Sequence, residues 1–279
     1  MVELIAEIGI NHNGDLDLAK QMVEKAANAG FDSVKFQKRD INKVYSIEEL
    51  EKPRESPWGS TTRQQKEGLE FSVPQMVHLL QKSVNLGLMF GVSCWDTQSL
   101  EGMENGLQMF EIHKHSFFYK IASPLVTDHD FLRQTAATGR RVILSTGMST
   151  LQQIDEAVEI LGSTCDTILS CTSTYPTADH EVNLKVIEQF KLRYKNHKIG
   201  FSNHVPNPLA SFGAIAIGAE CVETHVTLDR TMYGSDQASS IEDWPNFVKG
   251  CRRMEEMRGD GVKRVYDSEI PAMTKLRKV

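Results

Sequence analysis

Two lysines, two histidines, several carboxylates and a series of hydroxyl side chains stand at the ends of short apolar segments, and these residue types set the chemistry open to the chain. Lys35 lies in Ser33-Val34-Lys35-Phe36-Gln37, and Lys120 in Phe118-Tyr119-Lys120-Ile121-Ala122-Ser123. An ammonium in such a segment is costly to bury without a counter-anion. An anionic ligand resolves that cost, with Ser123, Ser145, Thr146 and Ser202 and nearby helix N-termini adding donors for phosphate or carboxylate oxygens. A Schiff-base lysine is the competing use of Lys35 or Lys120. His204 closes Ser202-Asn203-His204, and His225 closes Glu223-Thr224-His225. Two imidazoles at the ends of adjacent strands can reach one ion, with an oxygen from Glu223 or Asp236, in a set that suits Mn²⁺, Co²⁺ or Zn²⁺. Each histidine also reads as an ordinary core residue, and residue type alone leaves the two readings open.

The elements that must position these groups follow from hydrophobic patterning. Short, nearly continuous apolar runs predict strands at 4–8, 33–36, 88–93, 118–122, 142–145, 167–171, 198–201 and 221–225, each covered on both faces. Amphipathic periodicity predicts helices at 16–29, 74–85, 132–138, 151–161, 184–191, 208–217 and 244–257, several ending at a glycine such as Gly30, Gly87, Gly139 or Gly162. The cadence is that of a (β/α)₈ TIM barrel forming a single domain over residues 1–279, in preference to an open doubly wound sheet. In such a barrel the site forms at the C-terminal strand ends. That rim receives Glu7 and Asn11, Lys35 and Gln37, Lys120 and Ser123, Ser145, then Thr172, Ser173 and Tyr175, Ser202 and His204, and finally Glu223, His225 and Asp236. The connection 37–72 is far longer than the few residues usual for a βα loop. With Tyr45, Trp58 and Phe71 as anchors it is expected to be an ordered lid, and residues 258–279 form a C-terminal tail.

Composition excludes several classes of function. The 279 residues carry 31 Lys+Arg against 37 Asp+Glu, a net charge of −6, which argues against nucleic-acid or anionic-lipid partners. No run is long and apolar enough to span a bilayer, and no secretory leader is visible. The 5 cysteines are scattered without a C-x-x-C pair, which speaks against a disulfide framework or structural zinc. A cytoplasmic protein is expected.

An ordered series of segments now carries a resemblance. Ala6-Glu7-Ile8-Gly9-Ile10-Asn11-His12-Asn13-Gly14, Val34-Lys35-Phe36-Gln37, Lys120-Ile121-Ala122-Ser123, Ile143-Leu144-Ser145-Thr146-Gly147-Met148, Cys171-Thr172-Ser173-Thr174-Tyr175-Pro176, Ser202-Asn203-His204 and Glu223-Thr224-His225 resemble the sialic acid synthase (N-acetylneuraminate synthase) family. The resemblance implies a barrel that condenses phosphoenolpyruvate with a sugar aldehyde, usually N-acetylmannosamine or a related acylamino sugar, to give a nine-carbon 2-keto acid and phosphate. It implies that His204 and His225 hold a divalent metal, Mn²⁺ first and Mg²⁺ or Co²⁺ as alternatives. It implies that Lys35, Lys120, Ser123, Ser145, Ser173 and Ser202 bind phosphoenolpyruvate, while Tyr175, Asp236 and Glu7 face the sugar and the reacting carbons. Glu7 is the expected proton-transfer group, and Asn11, Gln37 and Thr172 complete the substrate-binding set. A homodimer is expected with it.

The departures bear on the acceptor. Long-form members carry a C-terminal domain resembling type III antifreeze protein that offers an arginine to the partner's site. Residues 261–279 are too few for one, so a short form is expected, with the lid and its Trp58 and Arg63 in compensation. Leu125 stands where an acidic residue is usual, Asn203 where Asp is frequent, and Gly234-Ser235-Asp236-Gln237 replaces Gly-Pro-Asp-His. One alternative is condensation with another aldose, phosphorylated as in octulosonate- or heptulosonate-phosphate synthases, with Arg63 or Arg230 meeting the second phosphate. Another is a barrel that binds a ligand or a full-length paralogue without catalysis.

Overall fold

The computed structural model describes residues 1–110, 116–234 and 240–278. Its strands are β1 (Glu3–Gly9), β2 (Ser33–Lys38), β3 (Pro53–Ser56), β4 (Gly59–Thr61), β5 (Met89–Cys94), β6 (Phe117–Ile121), β7 (Arg141–Ser145), β8 (Cys165–Ser170), β9 (Lys198–Asn203) and β10 (Cys221–His225). Eight of these close into a barrel in the order β1-β10-β9-β8-β7-β6-β5-β2, all parallel, while β3 and β4 pair as a separate hairpin. The expected (β/α)₈ barrel is thus formed, with strand limits within a few residues of those predicted. No described helix is long and apolar enough to cross a membrane.

The helices begin and end where local chemistry favours it. Asp15 accepts from the backbone N–H groups of Asp17 and Leu18 at the start of Leu16–Ala29, and Gly30, at φ 90°, ends that helix in the left-handed conformation that glycine adopts without strain. Ser72 and Thr150 form capping boxes with Gln75 and Gln153 at the starts of Val73–Asn85 and Leu151–Leu161. Apart from short helices in the connections and the C-terminal tail, the helix absent from the predicted set is Thr97–Met109. Gly102, Asn105 and Gly106 lower its intrinsic propensity. Their value is in packing: a Cβ on Gly106 would lie 2.8 Å from Val73 and 3.0 Å from Val77, so glycine lets this helix lie close against its neighbour.

Inward-facing positions recur every second residue along each strand, and they stack in layers of different character. The middle layer is apolar: Ile5, Phe118, Ile143, Leu169 and Cys221 are fully buried in one cluster. Glycine makes room for its largest members, since a Cβ on Gly91 would meet the Phe118 ring at 2.3 Å and one on Gly200 would meet Leu169 at 2.6 Å. Two residues beyond these come Glu7, Lys120, Ser145, Cys171 and Glu223, and two beyond Gly200 comes Ser202. The plug is therefore roofed by a polar layer at the C-terminal end.

The opposite end is closed by charge. Arg141 reaches Glu3 through two bonds of 2.9 and 2.5 Å, donates to Asp166 at 2.8 Å, and lies over the Phe118 ring. Burial pushes the Asp166 carboxyl up, but the Thr167 hydroxyl and the Arg141 guanidinium outweigh it and hold the carboxyl below its ordinary value. Stability from such a depressed carboxyl is present above the unfolded pKa of about 3.9 and is lost as pH falls through the lower folded value. Arg141→Ala leaves Glu3 and Asp166 without their partner and should cost about 2 kcal/mol near neutral pH. Thermal denaturation checks this, and the deficit relative to the unsubstituted chain should shrink as pH falls below about 4.

The long connection 37–72 is ordered. It holds short helices at Ile41–Val44, Ile47–Leu50 and Thr62–Leu69 besides the β3–β4 hairpin. Leu50, Leu69 and Phe71 are buried. Trp58 packs so closely on Gly68 that a Cβ there would come within 2.1 Å of the indole, and its ring meets Tyr233 edge-on at 5.4 Å.

Candidate active site

A cavity of about 320 Å³ opens at the C-terminal mouth of the barrel, lined on every side by strand ends and by the long connection. Of the expected site residues, Glu7, Lys35, Gln37, Lys120, Ser123, Ser145, Ser173, Tyr175, His204 and His225 line it, although they come from seven different strands and the loops that follow them.

Two ion pairs organise its floor. Lys35 Nζ lies 2.7 Å from Glu7 Oε2 and donates to Ser93 Oγ at 3.1 Å, while Gln37 Nε2 donates to Glu7 Oε1 at 3.1 Å. Across the barrel, Lys120 Nζ pairs with Glu223 Oε1 at 2.5 Å, and that oxygen also accepts from Ser202 Oγ at 2.9 Å. Burial works against both charges of the second pair. The proximity of each to the other, with Lys35 and Glu7 nearby, outweighs it, holding Lys120 above the ordinary lysine range and Glu223 well below the carboxylate range. This corrects one expectation: each buried ammonium has its own carboxylate, so neither awaits a ligand for neutrality. A lysine held so firmly protonated is also a poor nucleophile, which disfavours a Schiff base at Lys120. An ammonium has three N–H donors, and Glu223 takes one from Lys120. The second Glu223 oxygen is buried without a hydrogen-bond partner among the described residues.

Beside this pair the chain forms a hydroxyl-rich recess. Gly147 N–H donates to Ser123 Oγ at 3.1 Å and to Cys171 Sγ at 3.2 Å. A Cβ on Gly147 would collide with Ser173 Oγ at 2.1 Å and Ser123 Oγ at 2.9 Å, so only glycine lets these hydroxyls converge.

The two imidazoles face each other with ring centres 5.4 Å apart, and Tyr175 packs against both. His204 Nδ1 donates to the Thr172 carbonyl at 2.6 Å, which leaves its Nε2 with a lone pair. Ser202 lies 3.4 Å from that Nε2. Burial, with the neighbouring His225, lowers His204 to about 3, so the ring is neutral. Two imidazoles bound to one ion at about 2.1 Å have ring centres roughly 5 Å apart, so the pair fits a shared divalent cation. Among the described residues no group of three or more His, Cys, Asp or Glu side chains gathers around it.

The remaining expected residues sit elsewhere. Asn11 is buried, and its amide donates to Val226 O at 2.8 Å and Ser240 Oγ at 2.9 Å; it braces the segment after β10 and does not line the cavity. The Thr172 hydroxyl donates to Glu181 O, and the residue serves the site through its carbonyl. Ser202 lies beneath the cavity, on Glu223. Asp236 falls outside the described residues. Arg63 is engaged by Glu51 and Asn42, and Arg230 by Ser240 O, Pro206 O and Glu242, so neither lines the cavity.

The structure adds Arg39, Tyr45, Lys66, Ser93, Trp95 and Met148 to the lining. Arg39 is buried: it bonds the Gln37 amide oxygen, donates to Tyr45 OH at 3.1 Å, pairs with Glu70 at 2.6 Å and lies over the Trp95 ring. Its signal was present in Lys35-Phe36-Gln37-Lys38-Arg39, two residues beyond Gln37 in strand alternation.

Compared with known proteins, residues 22–263 match the NeuB family. The chain belongs to the NeuB family. It is accordingly an enzyme of the sialic acid synthase family. Similar proteins include N-acetylneuraminate-9-phosphate synthase of Homo sapiens, 34% identical over 283 residues that span 99% of this chain and 76% of the relative. N,N'-diacetyllegionaminic acid synthase of Campylobacter jejuni is 33% identical over 292 residues, 99% of this chain and 83% of the relative. The crystal structure of N-acetylneuraminic acid (sialic acid) synthetase from Leptospira borgpetersenii, in complex with citrate, superposes with a TM-score of 0.83 at 28% identity, over 100% of this chain and 93% of that one.

The ion pairing at the NeuB barrel mouth makes a testable statement. Lys120→Met strands the Glu223 carboxylate in the interior and should lower stability by about 3–5 kcal/mol. Adding Glu223→Gln to that variant should recover more than half of the loss, as read by urea unfolding of the single and double variants.

Proposed function

We propose that this NeuB-family enzyme condenses phosphoenolpyruvate with the open-chain aldehyde of an acylamino sugar, of the N-acetylmannosamine type, giving a nine-carbon 2-keto acid and inorganic phosphate. The observation that carries the reading is the meeting, in one cavity, of two Lys–Glu pairs, four serine hydroxyls and two neighbouring imidazoles. The relatives' names point the same way: one is an N-acetylneuraminate-9-phosphate synthase and another an N,N'-diacetyllegionaminic acid synthase.

In this reading the N–H groups of Lys120 not used by Glu223, together with Ser123, Ser145 and Ser173, take the phosphate and carboxylate oxygens of phosphoenolpyruvate. The aldehyde lies toward Tyr175, His204 and His225. His204 and His225 hold a divalent metal, Mn²⁺ by preference with Mg²⁺ or Co²⁺ as substitutes, which supplies Lewis acidity to the aldehyde oxygen when bound. C3 of the enol phosphate then forms a bond to the aldehyde carbon, and the aldehyde oxygen takes up a proton. Water adds at C2, and the tetrahedral adduct expels phosphate to leave the 2-keto acid. Glu7, oriented by Lys35 and Gln37, moves the proton between this water and the sugar hydroxyl. Holding two polar reactants in a fixed orientation supplies much of the rate gain, and the paired floor supplies local charge without net repulsion.

The test is phosphate release and 2-keto acid formation, followed together in the Mn²⁺-loaded protein with phosphoenolpyruvate and N-acetylmannosamine. One phosphate should appear per keto acid. Chelation should stop the reaction and Mn²⁺ restore it. His204→Ala should lower kcat about a hundredfold or more, equivalent to roughly 2.7 kcal/mol, with folding retained. Glu7→Gln should lose turnover while still binding phosphoenolpyruvate. Release that ignores both chelation and His204→Ala removes the metal from the reading, and its absence with every acylamino sugar tried removes the reaction.

A further inference from the structure

One buried arginine reaches, through its neighbour, the carboxylate given the proton-transfer role. Arg39 follows directly on β2 and is held from several sides. Its guanidinium lies 2.6 Å from Glu70 Oε1, donates to Tyr45 OH at 3.1 Å and rests over the Trp95 ring. Its remaining terminal nitrogen donates to the amide oxygen of Gln37. A planar guanidinium with five N–H donors in a fixed fork serves these partners together, which a point charge on a flexible stem does not.

The amide of Gln37 has two orientations that exchange its oxygen and nitrogen, and its neighbours choose between them. Arg39 only donates, and the Glu7 carboxylate only accepts. The oxygen therefore turns to Arg39 and the NH₂ to Glu7 Oε1, 3.1 Å away. Reversed, the amide would set donor against donor and acceptor against acceptor. Without Arg39 it is tied at its NH₂ end alone and regains rotamer freedom.

The backbone is shaped around the same contact. β1 and β2 pair Glu7 with Lys35, yet Gly9 pairs with Phe36, so the register shifts between them. Irregularities of this kind re-aim side chains beside active sites. Gly9 takes φ 55°, and a Cβ there would lie 2.9 Å from Glu7 Oε1 and 3.3 Å from Gln37 Nε2. The hydrogen bond is thus walled by backbone on one side, while Lys35 holds the other Glu7 oxygen at 2.7 Å.

We propose that Arg39 is a positioning residue for the condensation: by fixing the amide of Gln37 it holds the Glu7 carboxylate in the orientation that moves the proton. The inference rests on the role given to Glu7 above. It also places control of that carboxylate in the long connection, because Glu70 and Tyr45, which hold Arg39, both belong to it.

The experiment is a double-variant cycle on Arg39 and Gln37 in the Mn²⁺-loaded protein, with kcat and the KM of phosphoenolpyruvate read separately. A small misplacement of a reacting group is costly, so Arg39→Met should lower kcat at least about tenfold. The KM of phosphoenolpyruvate should change less than about threefold. Arg39→Met combined with Gln37→Leu should fall no lower than Gln37→Leu alone, since the first acts through the second. Arg39→Lys keeps the charge without the fork and should not restore kcat. Glu70→Gln should lower the melting temperature and leave most of kcat. An arginine that only ties the connection to Glu70 predicts otherwise: Glu70→Gln would reproduce the loss of kcat, and the losses from Arg39→Met and Gln37→Leu would multiply. Either result, or full kcat in Arg39→Lys, overturns the proposal. Because Arg39→Met leaves Glu70 without its guanidinium, the cycle is repeated in the Glu70→Gln background, where the same coupling is expected.

A second measurement does not need the reaction. The side-chain NH₂ of Gln37, identified as the NMR signal pair lost in Gln37→Leu, should exchange slowly with water, and Arg39→Met should speed that exchange. Exchange unchanged by Arg39→Met overturns the positioning role whether or not condensation occurs. Exchange that Arg39→Met speeds, without condensation of any acylamino sugar, removes the reaction and retains the hold of Arg39 on Gln37.

Discussion

Burying two opposite charges in pairs at one end of a barrel is the constraint on which this molecule depends. Glu7, Lys35 and Glu223 are each no more than 3% exposed, and Lys120 is 7% exposed. Removing such pairs from water is costly, and their mutual attraction only roughly offsets the loss. The pairs cannot be what stabilises the barrel. That role belongs to the apolar plug of Ile5, Phe118, Ile143, Leu169 and Cys221 and to the larger apolar layer between strands and helices, which includes Phe36, Phe90, Phe117, Tyr119 and Trp244. Stability and chemistry are therefore separated along the barrel axis, with glycine at 91 and 200 letting the plug close tightly under the polar layer.

Glu223 links the two halves of the site. Its one oxygen is bonded by Lys120 and by Ser202, and Ser202 lies against His204, whose other ring nitrogen is fixed by the Thr172 carbonyl. Glu223, drawn from sequence as a possible metal ligand, through these bonds joins the ammonium beside the hydroxyl recess to the imidazole of His204. Such outer partners fix ring orientation and tautomer at metal sites. The link exists only because the barrel closes. Lys120 and Glu223 are 103 residues apart, and their strands, β6 and β10, do not pair with each other.

The legible and illegible parts of the sequence divide along the same line. Strand positions were readable because parallel strands covered on both faces are nearly continuous in apolar residues, so Lys35, Lys120 and Glu223 stood out as exceptions within them. Side-chain partners were not readable, because pairing is set by barrel closure and not by spacing. A lysine in Ser33-Val34-Lys35-Phe36 suggests a need for negative charge, but nothing local shows that Glu7 already supplies it. The histidines show the same limit. His12, buried and stacked on Phe71, accepts from Gly14 N–H at 3.0 Å and fills a structural place, whereas His204 and His225 face one another across the mouth. Adjacent strand ends predicted that meeting. Asn11 and Thr172 failed as cavity residues because a polar side chain near a rim can equally brace a loop, and their bonds to Val226, Ser240 and Glu181 do so.

The connection 37–72 extends this argument to order outside the barrel. A loop of that length would be expected to cost conformational entropy without return, yet its two ends are tied to each other. Glu70 accepts from the Arg39 backbone and pairs with the side chains of both Lys38 and Arg39. Arg39 in turn holds the Gln37 amide that faces Glu7. With its ends clamped, the segment is a closed unit whose own buried residues, Leu50, Leu69 and Phe71, offset the cost of ordering it. The clamp also ties the conformation of the segment to the carboxylate at the floor of the cavity. A mouth built in this way can vary the residues it presents above the cavity without disturbing the strand ends below.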